Sequence, residues 1–570
     1  MSGVQLILVL LVVAVALRMV AGRLRIPYAA LLVLGGLLLA FVPGLPRVDL
    51  PPDVLFLVFI PPLLYSGSRL YPLRDVRRQL GPIVRLAVVM VAISTAAVAV
   101  VAHALDPAFT WAAAIALGAI VSPPDPVAVV SIMRPLNAPQ AIESILEGEG
   151  LFNDATALVI YRIAIAAAVT GAFSPSRAAW QFVLAAAGGI AIGLAVALVA
   201  LRVHRWVRTV PVVENTVSLL TPFAAYLAAD FAGTSGVLAV VAAGMYVGRQ
   251  AARFVGPEAR IQNDGMWTVM TFLLESLVFI VVGLELPSIT RDLQPYPWAT
   301  LLREAGLVTV CLVVVRMVWV WPSAYAWRYV SRWIRGTHEA LPPWRWIAFI
   351  GFAGVRGADS LVIALALPLA TASGAPFPAR DQILFITFGV IFATLVIQGP
   401  TLAPLIKILA LKGDAHEEDE EAHARLVATE AALKVLADPA VAAQSPYPEV
   451  VRYLQQRARQ RARRWAARES RQFEGRTHTF VQEHSVAAPS HDAGVLDEKR
   501  ILEYRRLRAR SIGAEREAVI ALRDQSVIGD DVLRRIQRDL DLETMLLDAR
   551  EPVVELPSEV QVALDTPADA

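Results

Sequence analysis

Apolar residues fall in blocks of bilayer length from the N-terminus to about Leu411, separated by short stretches carrying arginine, proline and glycine. A helix needs ~20 residues to cross hydrocarbon. Blocks near 4–21, 27–42, 53–67, 81–105, 110–133, 142–170, 179–202, 213–231, 235–249, 266–287, 300–327, 346–370 and 381–411 predict about 13 membrane-spanning helices. The first block, Val4 to Val20, is too long for a signal-peptide core, lacks a basic stretch before it and is followed by more spans, so it reads as a span itself. From Lys412 the pattern turns polar. An acidic run, HEEDEEAH at 416–423, leads into helical periodicity, and Arg457, Arg459, Arg461, Arg463, Arg464 and Arg468 surround Trp465. After a break at SVAAPSHDAG, helices are expected from about Asp497 to 548. Gly529 should end one and Asp530 or Asp531 cap the next, with Leu533, Ile536, Leu540 and Leu547 at helical spacing. The predicted architecture is an all-α polytopic membrane protein, with 1–411 as the transmembrane domain and 412–570 as a helical tail that regulates it or supports a dimer.

Composition agrees: 56% of residues are hydrophobic and mean hydropathy is +0.55, more apolar surface than a soluble core can bury. Arginine alternates from loop to loop. Loops after odd-numbered spans carry Arg18, Arg23 and Arg25, then Arg69, Arg74, Arg77 and Arg78, and continue so to Arg328, Arg332 and Arg335; loops after even-numbered spans hold little beyond Arg47, Arg177, Arg291 and Arg380. The positive-inside rule then puts the N-terminus outside and the tail in the cytoplasm. The single cysteine, Cys311, excludes an intrachain disulfide framework and a cysteine metal site. His103, His204 and His338 fall near span ends or loops and no metal-ligand spacing occurs, which weighs against an enzyme working with Asp125, Asp154 and Asp359.

Two spans carry the chemistry. In SPPDPVAV, Pro123, Pro124 and Pro126 remove donors, so the carbonyls of Ala119, Ile120 and Ser122 lose their helical partners. Such a break survives at membrane depth only where protein or water satisfies it. Asp125 inside the break caps the following half-helix, contributes to a cation's ligand shell, or does both. The next span, EGEGLFNDATALVIYR, brings ionisable groups into hydrocarbon, each costing roughly 2.5–3.5 kcal/mol at a helix centre. Glu147, Gly150 and Asp154 share a helical face, with Asn153 one step round. A carboxylate there takes a proton or a small cation but not both, which is the minimum an exchanger needs; a cation channel has no need of a titratable site closed from both sides.

These two segments and a later GVRGADSLVIALALP resemble, in order and spacing from about residue 5 to 411, the signature regions of the monovalent cation:proton antiporter family, specifically bacterial sodium/proton antiporters with a cytoplasmic tail. The resemblance implies inverted six-helix repeats with discontinuous helices, a homodimer in the bacterial plasma membrane, and alternating access. It implies that Asp154 binds ion or proton with Asn153 as partner, that Asp125 belongs to the unwound fifth helix, and that Glu149 and Arg356 form a buried structural ion pair. An asparagine-aspartate pair resembles the electroneutral branch, one cation per proton. Where the family often has serine, this chain has Gly150; water, a carbonyl or the Ser122 hydroxyl would replace that ligand, so the expected exchange is Na+ (or Li+) for H+, with K+/H+ exchange as the alternative.

The remaining charges have weaker claims. Asp359 is expected to pair with Arg356 at i,i+3, with a second transport site as the alternative. Glu275 is expected to meet Arg316 across helices in a structural contact, with a role accessory to transport, as for Glu147, as the alternative; Arg162 is expected to approach Asp154 or reach for the outer surface. Glu143 and Glu147 attract cations at the cytoplasmic mouth or cap the helix start. The arginine-rich helix is solvated, lies on anionic lipid, or latches onto the acidic run. No nucleotide-binding glycine loop occurs in the tail, so no cofactor is expected, and the expected partners are the cations, protons, lipids and a second copy, not nucleic acid.

Overall fold

The computed structural model describes residues 3–24, 28–42, 52–170, 175–207, 210–292, 297–335, 341–357, 359–412, 416–473 and 498–548. Among them every regular element is a helix, apart from one isolated bridge between Ala370 and Pro376. The chain divides into two compact units, Met1–Asp414 and Ala415–Ala570.

In the first unit each expected apolar block holds a helix or an interrupted pair. The elements are α1 (Gly3–Leu24), α2 (Tyr28–Leu39), α3 (Pro52–Leu70), α4 (Leu73–Val84), α5 (Val91–Leu105), α6 (Trp111–Val121), α7 (Pro126–Met133), α8 (Gln140–Thr170), α9 (Pro175–Trp206), α10 (Pro211–Phe231) and α11 (Gly236–Phe254). They continue through α12 (Pro257–Asp292), α13 (Trp298–Arg335), α14 (Trp344–Phe352), α15 (Asp359–Leu365), α16 (Arg380–Phe392) and α17 (Gly399–Ile408). Wide π-helical turns over Arg85–Met90 and Ala393–Gln398 join α4 to α5 and α16 to α17. Among the described residues nine helices are long and apolar enough to cross a membrane, and the shorter Tyr28–Leu39 and Phe56–Leu70 are also apolar.

Packing sets α8 against α6 and α4, and α13 against α5, α14 and α16, around a core that includes Leu117, Ile120, Met133 and Phe349. A second cluster joins α3, α9, α10, α11 and α12. There the Trp267 indole N–H donates to Ser218 at 3.1 Å and its ring lies 5.2 Å from that of Tyr65. Alanine dominates this cluster because small side chains let backbones approach where no hydrophobic drive exists between helices.

The tail unit comprises α18 (His416–Ala437), α19 (Pro439–Gln444), α20 (Pro448–Phe473), α21 (Glu498–Asp524) and α22 (Asp530–Asp548), with Leu436, Val441, Val451, Leu454 and Leu507 at its centre. The break expected at SVAAPSHDAG lies outside the described residues. Gly529 does not end α21, which stops at Asp524 with Ser526 at φ 61°; the Gly529 N–H donates to Glu420 at 2.8 Å. Glu421 of the acidic run bonds Arg425 (2.8 Å) and Arg535 (2.6 Å) rather than the arginines around Trp465. Burial opposes ionisation of Glu421, but the two arginine hydrogen bonds outweigh it and hold its carboxyl below the usual 4.5. The pairing therefore stabilises the tail above pH ~4.5 and is lost as pH falls through the lowered value. Glu421→Gln should remove on the order of 1 kcal/mol of neutral-pH protection of α18 and flatten its acid loss, measured by hydrogen exchange on the full chain.

Candidate ion site

Helix α6 ends at Val121 because the prolines that follow cannot donate, and α7 restarts at Pro126 with Asp125 as its cap. The Asp125 carboxylate accepts the Val127 N–H at 2.8 Å. Residues 353–357, between α14 and α15, are also non-helical. The two interruptions meet: the Asp125 N–H donates to the Val355 carbonyl at 2.7 Å. They pass so closely that a Cβ on Gly357 would lie 2.7 Å from Asp125 Oδ2, so only glycine fits there.

Helix α8 crosses beside this junction. Asn153, fully buried, donates through Nδ2 to the Pro124 carbonyl at 2.9 Å, while its Oδ1 is buried without a partner. Gly150 lets α8 touch the restarted helix, because a Cβ there would be 2.2 Å from Pro126 Cγ. Gly150→Ala should therefore lower stability by about 1–3 kcal/mol, read by thermal unfolding, and slow transport with it. Ser122 sits at the end of α6. Its hydroxyl donates to the Gly118 carbonyl at 2.5 Å and lies 3.2 Å from Thr95 Oγ1, bracing the break.

Asp154 faces a cavity of about 10 Å³, the room of roughly one water, whose other walls are Asp359 and the apolar Ile60, Leu63, Leu64, Leu158 and Ile363. Neither carboxylate makes a hydrogen bond or ion pair among the described residues. Two carboxylates on one small apolar cavity repel each other, and a bound cation or proton removes that repulsion. Asp359 is thus not the local partner of Arg356. Arg356 lies in the non-helical 353–357, where an i,i+3 spacing does not bring side chains together, while Asp359 opens α15 toward Asp154.

The buried ion pair also differs from expectation. Glu149, 1% exposed, takes both Nη groups of Arg316 in a fork (2.5 and 2.7 Å), and Arg316 Nε donates to the Ile350 carbonyl at 3.1 Å. Arg356 is not its partner: the backbone N–H of Arg356 donates to Thr394 Oγ1 at 3.0 Å, and its Nε and Nη1 are buried without partners. With Arg316 so engaged, the Glu275–Arg316 contact does not form; Glu275 is half-buried on α12, next to Ser276, whose hydroxyl meets that of Tyr28 at 2.6 Å. Glu147 lies away from the cavity, with Glu143 on the exposed Arg134 (2.9 and 2.5 Å), and Arg162 pairs with Asp230 at 3.1 Å. Arg316 stood out in the sequence as a charge within VTVCLVVVRMVWVW, but which carboxylate it meets is set by helix packing.

The family described as "Sodium/hydrogen exchanger, transmembrane" matches residues 7–408. The sodium, potassium, lithium and rubidium/H+ antiporter of Bacillus pumilus is 34% identical over 415 residues, 71% of this chain; this chain spans 61% of that relative's length. An uncharacterised Na+/H+ exchanger of Mycobacterium tuberculosis is 32% identical over 553 residues, covering 95% of this chain and 96% of its own. The low-affinity Na+/H+ antiporter NhaS1 of Synechocystis is 31% identical over 444 residues, 76% of this chain and 79% of its own. The structure of the sodium proton antiporter MjNhaP1 of Methanocaldococcus jannaschii shares the fold, with a TM-score of 0.52 over 71% of this chain and 98% of that one at 18% identity. The chain belongs to the sodium/hydrogen exchanger family of membrane antiporters.

Proposed function

We propose that the membrane unit exchanges Na+ or Li+ for H+, one for one, by alternating access, with Asp154 carrying either the cation or the proton. The observation that carries this reading is the pairing of Asp154 and Asp359 on one water-sized cavity beside the junction of two interrupted helices. Asn153, which precedes Asp154 in α8, bonds the Pro124 carbonyl of the broken helix, so the break lies alongside α8 at the level of that carboxylate, the setting in which interrupted helices share a small cation with its remaining water. Asp125 shapes the site by capping α7 and holding Val355, close enough to act on a bound ion through its charge. Glu149 and Arg316 lock α8 to α13, so that these helices move together. The loop arginines support an orientation with the tail in the cytoplasm of a bacterial cell.

Potassium/proton exchange is the second reading. It is favoured by the potassium named among the cations of the Bacillus pumilus antiporter and by Gly150, which offers no side-chain ligand. Proteoliposomes with an imposed pH gradient, given Na+, Li+ or K+ with and without a potential clamp, separate the two. Dissipation by Na+ or Li+ at a rate independent of the clamp fits the proposal; dissipation by K+ alone selects the second reading, and dependence on the clamp rules out one-for-one exchange.

A further inference from the structure

In the tail, helices α18, α20, α21 and α22 surround a cavity of about 260 Å³ that ion exchange does not use. Its walls bring together three guanidiniums, Arg457 and Arg461 one turn apart on α20 and Arg508 from α21, with Tyr504 and the apolar Leu436 and Leu454. Arg508 is fully committed. Its Nε and Nη2 hold both oxygens of Glu543 at 2.6 Å, and its Nη1 reaches Glu515 at 2.7 Å. Glu543, the carboxylate on the cavity wall, is therefore already neutralised. Arg461 spends one Nη on Glu515 at 3.1 Å and has its Nε buried without a partner. Arg457 is exposed; its one hydrogen bond among the described residues is a 3.5 Å contact to the Tyr453 hydroxyl, and its charge also acts on Glu543. Three guanidiniums face two carboxylates, and Arg459, Arg463, Arg464 and Arg468 on the same helix add to the positive field. The Tyr453 and Tyr504 rings lie 6.4 Å apart at the tyrosine side of the cavity.

We infer that this cavity binds a phosphomonoester carrying a planar ring, of nucleoside-monophosphate size. The forks of Arg457 and Arg461 would take the phosphate oxygens and Tyr504 the ring. A guanidinium matches phosphate geometry with paired donors, and an aromatic face adds contact that a bare anion lacks. The volume is just below the ~300–1,000 Å³ typical of drug-sized ligands, which sets the upper size. No glycine loop is needed, because here side chains rather than backbone amides supply the donors.

The test is calorimetric titration of the full chain in detergent with AMP, adenosine, inorganic phosphate and short-chain phosphatidylglycerol. The inference expects saturable AMP binding, weaker binding of phosphate, none of adenosine, and a loss of roughly tenfold in AMP affinity in Arg457→Gln, whose exposed side chain can be replaced without unfolding the tail. Arg461→Gln should lose at least as much, provided its circular dichroism is unchanged. Absence of saturable AMP binding overturns the inference, as does equal affinity in Arg457→Gln. Binding of phosphatidylglycerol without AMP also overturns it, making the arginines a lipid-headgroup surface.

Discussion

Asp154→Asn should reduce cation-driven proton movement to the level of protein-free vesicles while leaving the protein folded. The carboxamide keeps the shape of the side chain in its small cavity with Ile60, Leu63, Leu64, Leu158, Ile363 and Asp359, so packing is conserved. It removes the carboxylate assigned to both loads, and Asp359, left alone on the cavity, no longer has the paired carboxylate that draws a cation in. Asn153 offers only an amide already bonded to Pro124, and Asp125 is held as a helix cap, so neither replaces it. A folded Asp154→Asn protein that still exchanges would move the site elsewhere; thermal unfolding and gel filtration on the same preparation separate loss of function from loss of fold.

The second large effect concerns the buried fork. Removing either Glu149 or Arg316 alone leaves an uncompensated charge among apolar helices and should cost about 3–5 kcal/mol, seen as a lowered unfolding temperature and poor membrane yield. Replacing both, Glu149→Leu with Arg316→Met, should cost less than the sum, because the two charges of the fork leave together, while the buried Arg356 guanidinium stays. Arg356→Gln should be milder than Arg316→Gln, since Arg356 contributes its backbone N–H, not its guanidinium, to an observed bond. The reverse order in a thermal-unfolding series would restore Arg356 as the partner of Glu149.

What the sequence disclosed, and what it did not, follows from the range of the interactions. Block length and the prolines of SPPDPVAV are local, so the helices and the α6–α7 interruption were readable, as was the placing of Asp125 at the restart. The second interruption, at 353–357, carries no proline and was hidden inside one apolar block; it holds because Asp125 and Thr394 supply partners to Val355 and Arg356 from other helices. The wide turns at Arg85–Met90 and Ala393–Gln398 likewise leave no local signal. The same logic separates the site residues. The faces shared by Glu147, Gly150 and Asp154 follow from helical period, but Asp359 reaches Asp154's cavity only because two breaks cross. With one buried glutamate and two arginines in reach, pairing depends on which guanidinium presents its fork, and that is tertiary information.

The central claim is that cation and proton compete for Asp154. Its most direct test is the proton released when Na+ binds to the purified protein, measured calorimetrically in buffers of differing ionisation enthalpy at a pH low enough that the sodium-free site holds its proton. The account predicts about one proton per cation bound in the wild type and none in Asp154→Asn. Sodium binding to the wild type without proton release would contradict it.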